Sequence, residues 1–338
     1  MLRAAVAAPV VLALLVVGTA SAREQAPPFA AAEIARVVDA GLMAPSVAAF
    51  RPRDPLTASE LATVVASLGG AIAVSDPDAP VTVRELHAQL VTLAGLRSEA
   101  RSIRLAAAAA GLSPRPWVGT ETVARMLGLR FNHPQGQDEL ELQVTQIVTR
   151  AEAAYSIAVY LALDDADLVA VRSETATFTP PSLTDWQQVV LTRALRFVGS
   201  PYVWAGMSER RQQLFGRVLP GGFDCSGFVW RVYKAEPFAG APQLTGVLVG
   251  RTTYDMSAEV PRSARVTRAA LQPGDVVFFG SRGPRSKPSE IGHMGIYVGN
   301  GWIVHSSRMG TTLTPMTGWY ETTFAWGRSP LVEAGLEY

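Results

Sequence analysis

Between about residues 28 and 163 the chain is rich in alanine, and apolar positions recur at three- and four-residue spacing. That period predicts a mostly helical unit over 28–163. Three stretches inside it share one pattern: Leu56-Thr57-Ala58-Ser59-Glu60-Leu61-Ala62, Val81-Thr82-Val83-Arg84-Glu85-Leu86-His87 and Val148-Thr149-Arg150-Ala151-Glu152-Ala153-Ala154. Each has Thr, Glu three residues later, and then an apolar helical run. This is the capping-box arrangement, in which hydroxyl and carboxylate satisfy free backbone donors at a helix start. From Asp164 to Leu183 the pattern lapses into Asp, Ser and Thr and closes on Pro180-Pro181, which predicts a linker over 164–183. Thr184-Asp185-Trp186-Gln187 then predicts a new helix. Trp186, Val189, Val190, Ala194 and Val198 give it one apolar face, and Gly199-Ser200-Pro201 stops it.

Further on the period shortens from helical spacing to alternation. Pro273-Gly274-Asp275 followed by Val276-Val277-Phe278-Phe279 reads as a turn into a core strand. The stretch GHMGIYVGNGWIVHSS, residues 292–307, reads as a hairpin around Gly299-Asn300-Gly301. With a three-residue loop, Val298 faces Trp302 and His305 lies opposite Gly295. His293 and His305 then share one face of the sheet, about 7–8 Å apart at Cα. A two-residue loop puts them on opposite faces, so the odd loop length is a commitment of this reading.

The 338 residues suit two domains, with 30 basic and 29 acidic side chains and no dense Lys/Arg tract. Nucleic acid is therefore not an expected partner. Arg3, the apolar run from Ala4 to Val17 and Ala20-Ser21-Ala22 have the form of a signal peptide over 1–22. The run is shorter than the ~20 residues that span a bilayer, so the expectation is an exported protein, in the cell envelope or secreted, with no stable membrane anchor.

Exported proteins usually pair their cysteines, and this chain has only Cys225. Phe228, Val229, Val232 and Tyr233 follow at helical spacing, which places Cys225 in the first turn of a helix on its buried stripe. Free amides and the helix dipole there favour the thiolate, predicting a lowered pKa. Gly221, Gly222, Ser226 and Gly227 keep its surroundings small. A nucleophilic thiol needs a base. Of four histidines, His87 reads as a helix-face residue and His133, before Pro134, as a loop residue. His293 remains as base and His305 as the group that holds its ring. Cysteine on a helix and histidines on an antiparallel sheet imply an α+β, papain-like domain over 184–332 with its cleft between the two layers. One Cys and two His so scattered lack metal-site spacing, and no cofactor is implied.

Gly199-Ser200-Pro201-Tyr202-Val203-Trp204, Phe223-Asp224-Cys225-Ser226-Gly227-Phe228-Val229, Pro273 to Phe279 and Gly292 to Gly299 resemble, in order, the NlpC-type cysteine peptidases of bacterial cell walls. The resemblance implies Cys225 as nucleophile, His293 as general base and later acid, and His305 as the residue orienting it. It implies Tyr202 beside the nucleophile as a substrate-binding group, and Asp224 and Ser226 lining a subsite for the free amine of a peptidoglycan stem peptide. Helix capping and small size are the competing roles for Asp224 and Ser226. The activity implied is cleavage at a D-γ-glutamyl bond to a diamino acid. An amidase or acyltransferase on the same scaffold, or a non-catalytic envelope-binding protein, are the alternatives. Between Tyr202 and Cys225 this chain is longer than the family's usual connection, and Arg210-Arg211 in the 207–220 insertion are expected to line or cover the cleft. In the first half, AGLMAPSVAAFRPRDPLTASELATVV resembles the S-layer homology module, although only Thr149-Arg150-Ala151-Glu152 matches that family's usual signature. That resemblance implies a cell-wall polysaccharide as a partner of the helical domain.

Overall fold

The computed structural model describes residues 29–134 and 136–336, so the signal peptide expected over 1–22 lies outside the described residues. The first half is helical: α1 (Ala31–Asp39), α2 (Ala58–Ser67), α3 (Val83–Leu93), α4 (Arg97–Ala109), α5 (Val118–Met126) and α6 (Arg150–Tyr160). All three Thr-x-x-Glu segments form capping boxes, at the starts of α2, α3 and α6. The residues just before each cap join in a closed ring. Leu56 N donates to Val148 O (3.1 Å), Val148 N to Val81 O (2.9 Å), and Val81 N to Leu56 O (2.9 Å). Two residues further along, Ala58 N donates to Ala79 O, Val83 N to Gln146 O and Arg150 N to Asp54 O. Each segment thus satisfies its neighbour's backbone around a pseudo-threefold axis, which a short strand alone in a helical unit cannot do. Arg150 adds a side-chain tie between the first and third segments, donating to Phe50 O and pairing with the Glu60 carboxylate.

The expected linker is not a linker throughout. Residues Asp165–Ala176 form α7, capped by Asp164 with Asp167 completing the box. Asp replaces both the Thr and the Glu of the earlier pattern. Leu168 packs on the core, and Val171 and Thr175 are buried from the same face. Only the residues from about 177 to 184 lie outside any helix, and they run beside the later hairpin, where Trp302 Nε1 donates to Thr177 Oγ1 (3.0 Å). The next helix, α8 (Asp185–Leu195), buries Gln187, Val190, Leu191, Ala194 and Leu195. Its face is rotated from the expected one, leaving Val189 exposed.

The second half holds short strands β1 (Met207–Ser208), β2 (Gln212–Leu214), β3 (Arg217–Leu219) and β4 (Gly222–Phe223), then α9 (Cys225–Tyr233). Helices α10 (Leu244–Val247) and α11 (Thr253–Ala258) lead to the main sheet: β5 (Val276–Gly280), β6 (Ile291–Gly299), β7 (Trp302–Ser307), β8 (Gly310–Pro315) and β9 (Phe324–Arg328). Helix α12 (Trp319–Thr323) precedes β9. The five strands are antiparallel in the order β8-β7-β6-β5-β9. Phe228, Val229, Val232 and Tyr233 of α9 are buried in one apolar cluster with Met294, Ile296, Val298 and Val304 from the covered face of the sheet. Phe279, Val277 and Ile303 belong to a separate cluster on the opposite face.

The two halves are joined by buried charge. His87, expected on a helix face, is 1% exposed, and its Nδ1 lies 3.0 Å from Glu121 Oε1. Glu121 also pairs with Arg125, whose Nε donates to Met309 O (2.7 Å) and whose Nη2 donates to Gly199 O (3.1 Å). Burial alone would raise the Glu121 pKa, but the pull of His87 and Arg125 wins and holds it at about 2. The folded state therefore keeps this carboxylate charged, and its stabilising contribution is lost as pH falls from the ordinary value of 4.5 through about 2. Removing Arg125 leaves Glu121 with His87 alone and strands two carbonyls. Arg125→Ala should cost about 3–5 kcal/mol, measured as a lowered denaturant midpoint, and its deficit should shrink as acid protonates Glu121.

Candidate active site

Cys225 is the first residue of α9, whose N-cap is Asp224. Asp224 Oδ1 accepts from Gly227 N (2.5 Å) and from the Ser226 hydroxyl (2.9 Å). Gly227 is needed where it stands, because a Cβ there would lie 1.9 Å from Gly206 O. Without a side chain, the helix start closes on the 202–206 loop and brings the thiol beside Tyr202.

The histidines come together by a route different from the expected one. The hairpin turn has two residues, Asn300 and Gly301, both at positive φ (46° and 78°). That length alone would separate the histidines onto opposite faces. The register shifts between Tyr297 and Gly299, so Val298 is a bulge, and beyond it Tyr297 pairs with Ile303 and Ile296 with Val304. The extra residue restores the offset. Gly295 consequently faces His305, and a Cβ on it would lie 2.9 Å from the His305 Cβ. His293 Nε2 and His305 Nδ1 are 2.8 Å apart.

Nor is the cleft a gap between helix and sheet layers. His293 pairs with Phe279 across β5 and packs against the rings of Phe279, Trp319 and Tyr320, on the face away from α9. The meeting point is at the sheet's splayed end. From Ile291 to Met294, β6 has no β7 partner in the register, and the Met294 amide is near enough to the sulfur to favour its thiolate form. Cys225 and His293 both line one cavity of about 440 Å³, together with Tyr202, Asp224, Ser226 and Arg251.

The electrostatics also depart from expectation. Burial pushes the thiol up to about 12, the Asp224 carboxylate adds to the rise, and the amides of Met294, Ser226 and Cys225 oppose it without prevailing. The helix start is thus outweighed by desolvation and by its own capping carboxylate. Burial lowers His293 to about 4, and burial together with the neighbouring His293 holds His305 well below the usual imidazole range. At neutral pH the site holds a thiol and two neutral imidazoles. His305 Nε2 lies 3.1 Å from Thr314 Oγ1 and 3.4 Å from the Tyr320 hydroxyl. The hydrogen-bond network is consistent when His305 donates through Nε2 to Thr314 and accepts at Nδ1 from His293 Nε2–H. The lone pair of His293 is then on Nδ1.

Tyr202 is half-buried in the cavity wall, its pKa raised by burial and by nearby Cys225. Arg251, which sequence reasoning missed, donates to Ser226 Oγ (2.8 Å) and Ala205 O (2.9 Å) and lies 3.4 Å from Asp224 Oδ1. The pair expected to receive an ammonium already carries a guanidinium. Thr314 and Tyr320 were also missed. Thr314 follows from the β7–β8 register, whereas nothing in the Trp319-Tyr320 dipeptide announces its place. The insertion does not cover the cleft: Arg210 lines a separate cavity with Arg115 and Trp117, and Arg217 pairs with Glu139 of the helical half. His133, expected in a loop, is buried beside Glu141. Among the described residues no group of three or more His, Cys, Asp or Glu is placed to hold a metal.

Residues 199–328 match the model of the NlpC/P60 family. The murein DD-endopeptidase MepH of Escherichia coli is 32% identical over 36% of this chain and 37% of its own length. The bifunctional muramidase/DL-endopeptidase CwlT of Bacillus subtilis is 29% identical over 43% of this chain and 37% of its own, and the gamma-D-glutamyl-L-lysine dipeptidyl-peptidase of Bacillus cereus is 32% identical over 33% and 26%. The chain thus spans little more than a third of the length of these relatives, or less. A crystal structure of an NlpC/P60 family protein from Bacillus cereus aligns over 46% of this chain and 43% of its own, at 25% identity and a TM-score of 0.33.

The neutral site is directly measurable. In an NMR titration the His293 ring should stay neutral down to about pH 4 rather than titrating near 6.5. Because the unfolded chain binds protons at higher pH than the folded one, this residue's contribution to stability should fade as pH drops from about 6.5 towards about 4.

Proposed function

We propose that this protein is a cell-wall cysteine endopeptidase that cleaves peptidoglycan stem peptides, at a D-γ-glutamyl bond to a diamino acid. The observation that carries the reading is a lone cysteine at a helix start sharing one cleft with His293, with His305 hydrogen-bonded behind it. The printed names of the relatives, which include DD- and DL-endopeptidases and a gamma-D-glutamyl-L-lysine dipeptidyl-peptidase, support peptidoglycan as the substrate class.

Cys225 is the nucleophile. His293 Nδ1 takes the thiol proton as sulfur attacks the peptide carbonyl, so the charged pair forms only with substrate present. Backbone amides at the start of α9 stabilise the oxyanion, the imidazolium returns its proton to the leaving amine, and water then hydrolyses the thioester with His293 again as base. His305 and Thr314 act through His293 by fixing its tautomer. Tyr202 holds substrate beside the sulfur, and Asp224 and Ser226 line the adjoining wall. The protein acts in the envelope after export, and the helical domain holds it there through a wall polysaccharide. The closed ring of three capped segments supports that part of the reading. Among the described residues no helix is long and apolar enough to cross a membrane.

Mass analysis of a defined stem peptide after digestion tests the bond: new termini should appear at the D-γ-glutamyl linkage, and cleavage at a D,D cross-link would displace this specificity. Cys225→Ala should abolish turnover while purified wall material still retains the protein. Thr314→Val removes one hydrogen bond worth about 1 kcal/mol. It should lower kcat roughly five- to tenfold with KM little changed.

A further inference from the structure

A second cavity, of about 330 Å³, opens beside the catalytic cleft at the junction of the two halves. The two share Tyr202, Trp204 and Arg308. Its far wall belongs to the helical half, where Tyr155 and Phe131 stack edge to face with ring centroids 4.9 Å apart. Opposite them Trp204 is 50% exposed. Aromatic faces on two sides suit a flat ligand with apolar C–H surfaces. The wall is not purely apolar: Asn132 lines it and its Oδ1 is buried with no hydrogen-bond partner among the described residues. A ligand bearing hydroxyl and amide groups meets both demands, and a hydrocarbon meets only one.

Charge narrows the choice further. The junction itself carries the cation Arg308, and in the adjoining cleft Arg251 sits against Asp224 and Ser226, where the Asp224 Oδ1 already accepts from Gly227 N and the Ser226 hydroxyl. A free ammonium arriving there meets a guanidinium and a carboxylate oxygen already engaged. An uncharged amide avoids that repulsion.

We propose that this cavity holds an N-acetylated sugar ring of the glycan strand, so that the substrate is a stem peptide still amide-linked to its sugar, rather than a freed peptide. This rests on the peptidase reading of the cleft and extends it. The amino end of the stem lies towards Tyr202, and the attached sugar enters between Trp204 and Tyr155. The helical half thereby helps select the substrate.

The test compares two substrates of one peptide sequence, free and joined to an N-acetylglucosaminyl–N-acetylmuramoyl disaccharide, using the full chain. The expected kcat/KM for the joined form is at least about tenfold higher, a difference of ~1.4 kcal/mol in transition-state binding. Tyr155→Ala and, as a milder change should that variant fold poorly, Asn132→Ala should each reduce this preference and leave free-peptide turnover unchanged. Equal kcat/KM for the two substrates, or a preference that survives both substitutions, overturns the proposal. If neither substrate is cut, calorimetry of the disaccharide with Cys225→Ala protein decides. Binding that weakens in the Tyr155 or Asn132 background keeps the sugar site and removes the peptidase reading, whereas no binding removes both.

Discussion

The hydrogen bond between His293 and His305 exists only because β6 gains one residue on β7 before their two-residue turn. A two-residue Asn-Gly turn matches the twist of antiparallel strands, but by parity it would place these rings on opposite faces. Val298 absorbs the difference as a bulge. From that point the site assembles: Gly295 leaves room for the His305 ring, His305 meets Thr314 on β8, and α12 closes over the pair with Trp319 and Tyr320. The histidines face away from α9, so the thiol must reach them around the end of β7. Gly227 permits this by letting the helix start close on Gly206.

Burial has a chemical consequence. A thiolate and imidazolium held permanently in this site would each be partly removed from water, and the Asp224 cap would work against the anion. Neutral partners cost less to bury, and in the proposed mechanism the charges form only when the substrate carbonyl and its oxyanion donors are in place. The junction with the helical half belongs to the same design. Arg125 holds the carbonyls of Gly199 and Met309, which lie close in sequence to Tyr202 and Arg308 on the cleft rim. The helical half is therefore fastened next to the chemistry, through a charge cluster that requires Glu121 to stay ionised.

Local signals in the sequence were read well where one rule operates at a time. The Thr-x-x-Glu segments cap helices, the Cys225 helix buries its predicted stripe, and the resemblance of residues 199 to 299 to NlpC-type peptidases agrees with the match of residues 199–328 to the NlpC/P60 family model. Reading failed where two rules compete. The Asp164-x-x-Asp167 cap looked like linker polarity, because the same residues favour loops and helix starts. The hairpin register came out right from a wrong loop length, since bulges leave no mark in alternation. His87 lies on a helix and His133 in a loop, as read, but that each is buried against a carboxylate, Glu121 and Glu141, left no mark in the local pattern. The lowered thiol pKa failed for a similar reason: the helix dipole is local and legible, and desolvation is tertiary.

The central claim is that the Cys225 sulfur becomes covalently bonded to the substrate's acyl group during turnover. Rapid acid quenching of the wild-type protein during digestion of a defined stem peptide, followed by mass spectrometry of the peptide containing Cys225, examines that bond directly. The account predicts an adduct equal to the amino-side product less one water, confined to Cys225 and absent after prolonged incubation. Efficient cleavage by the Cys225→Ala protein, with no adduct in the wild type at any time, would contradict it.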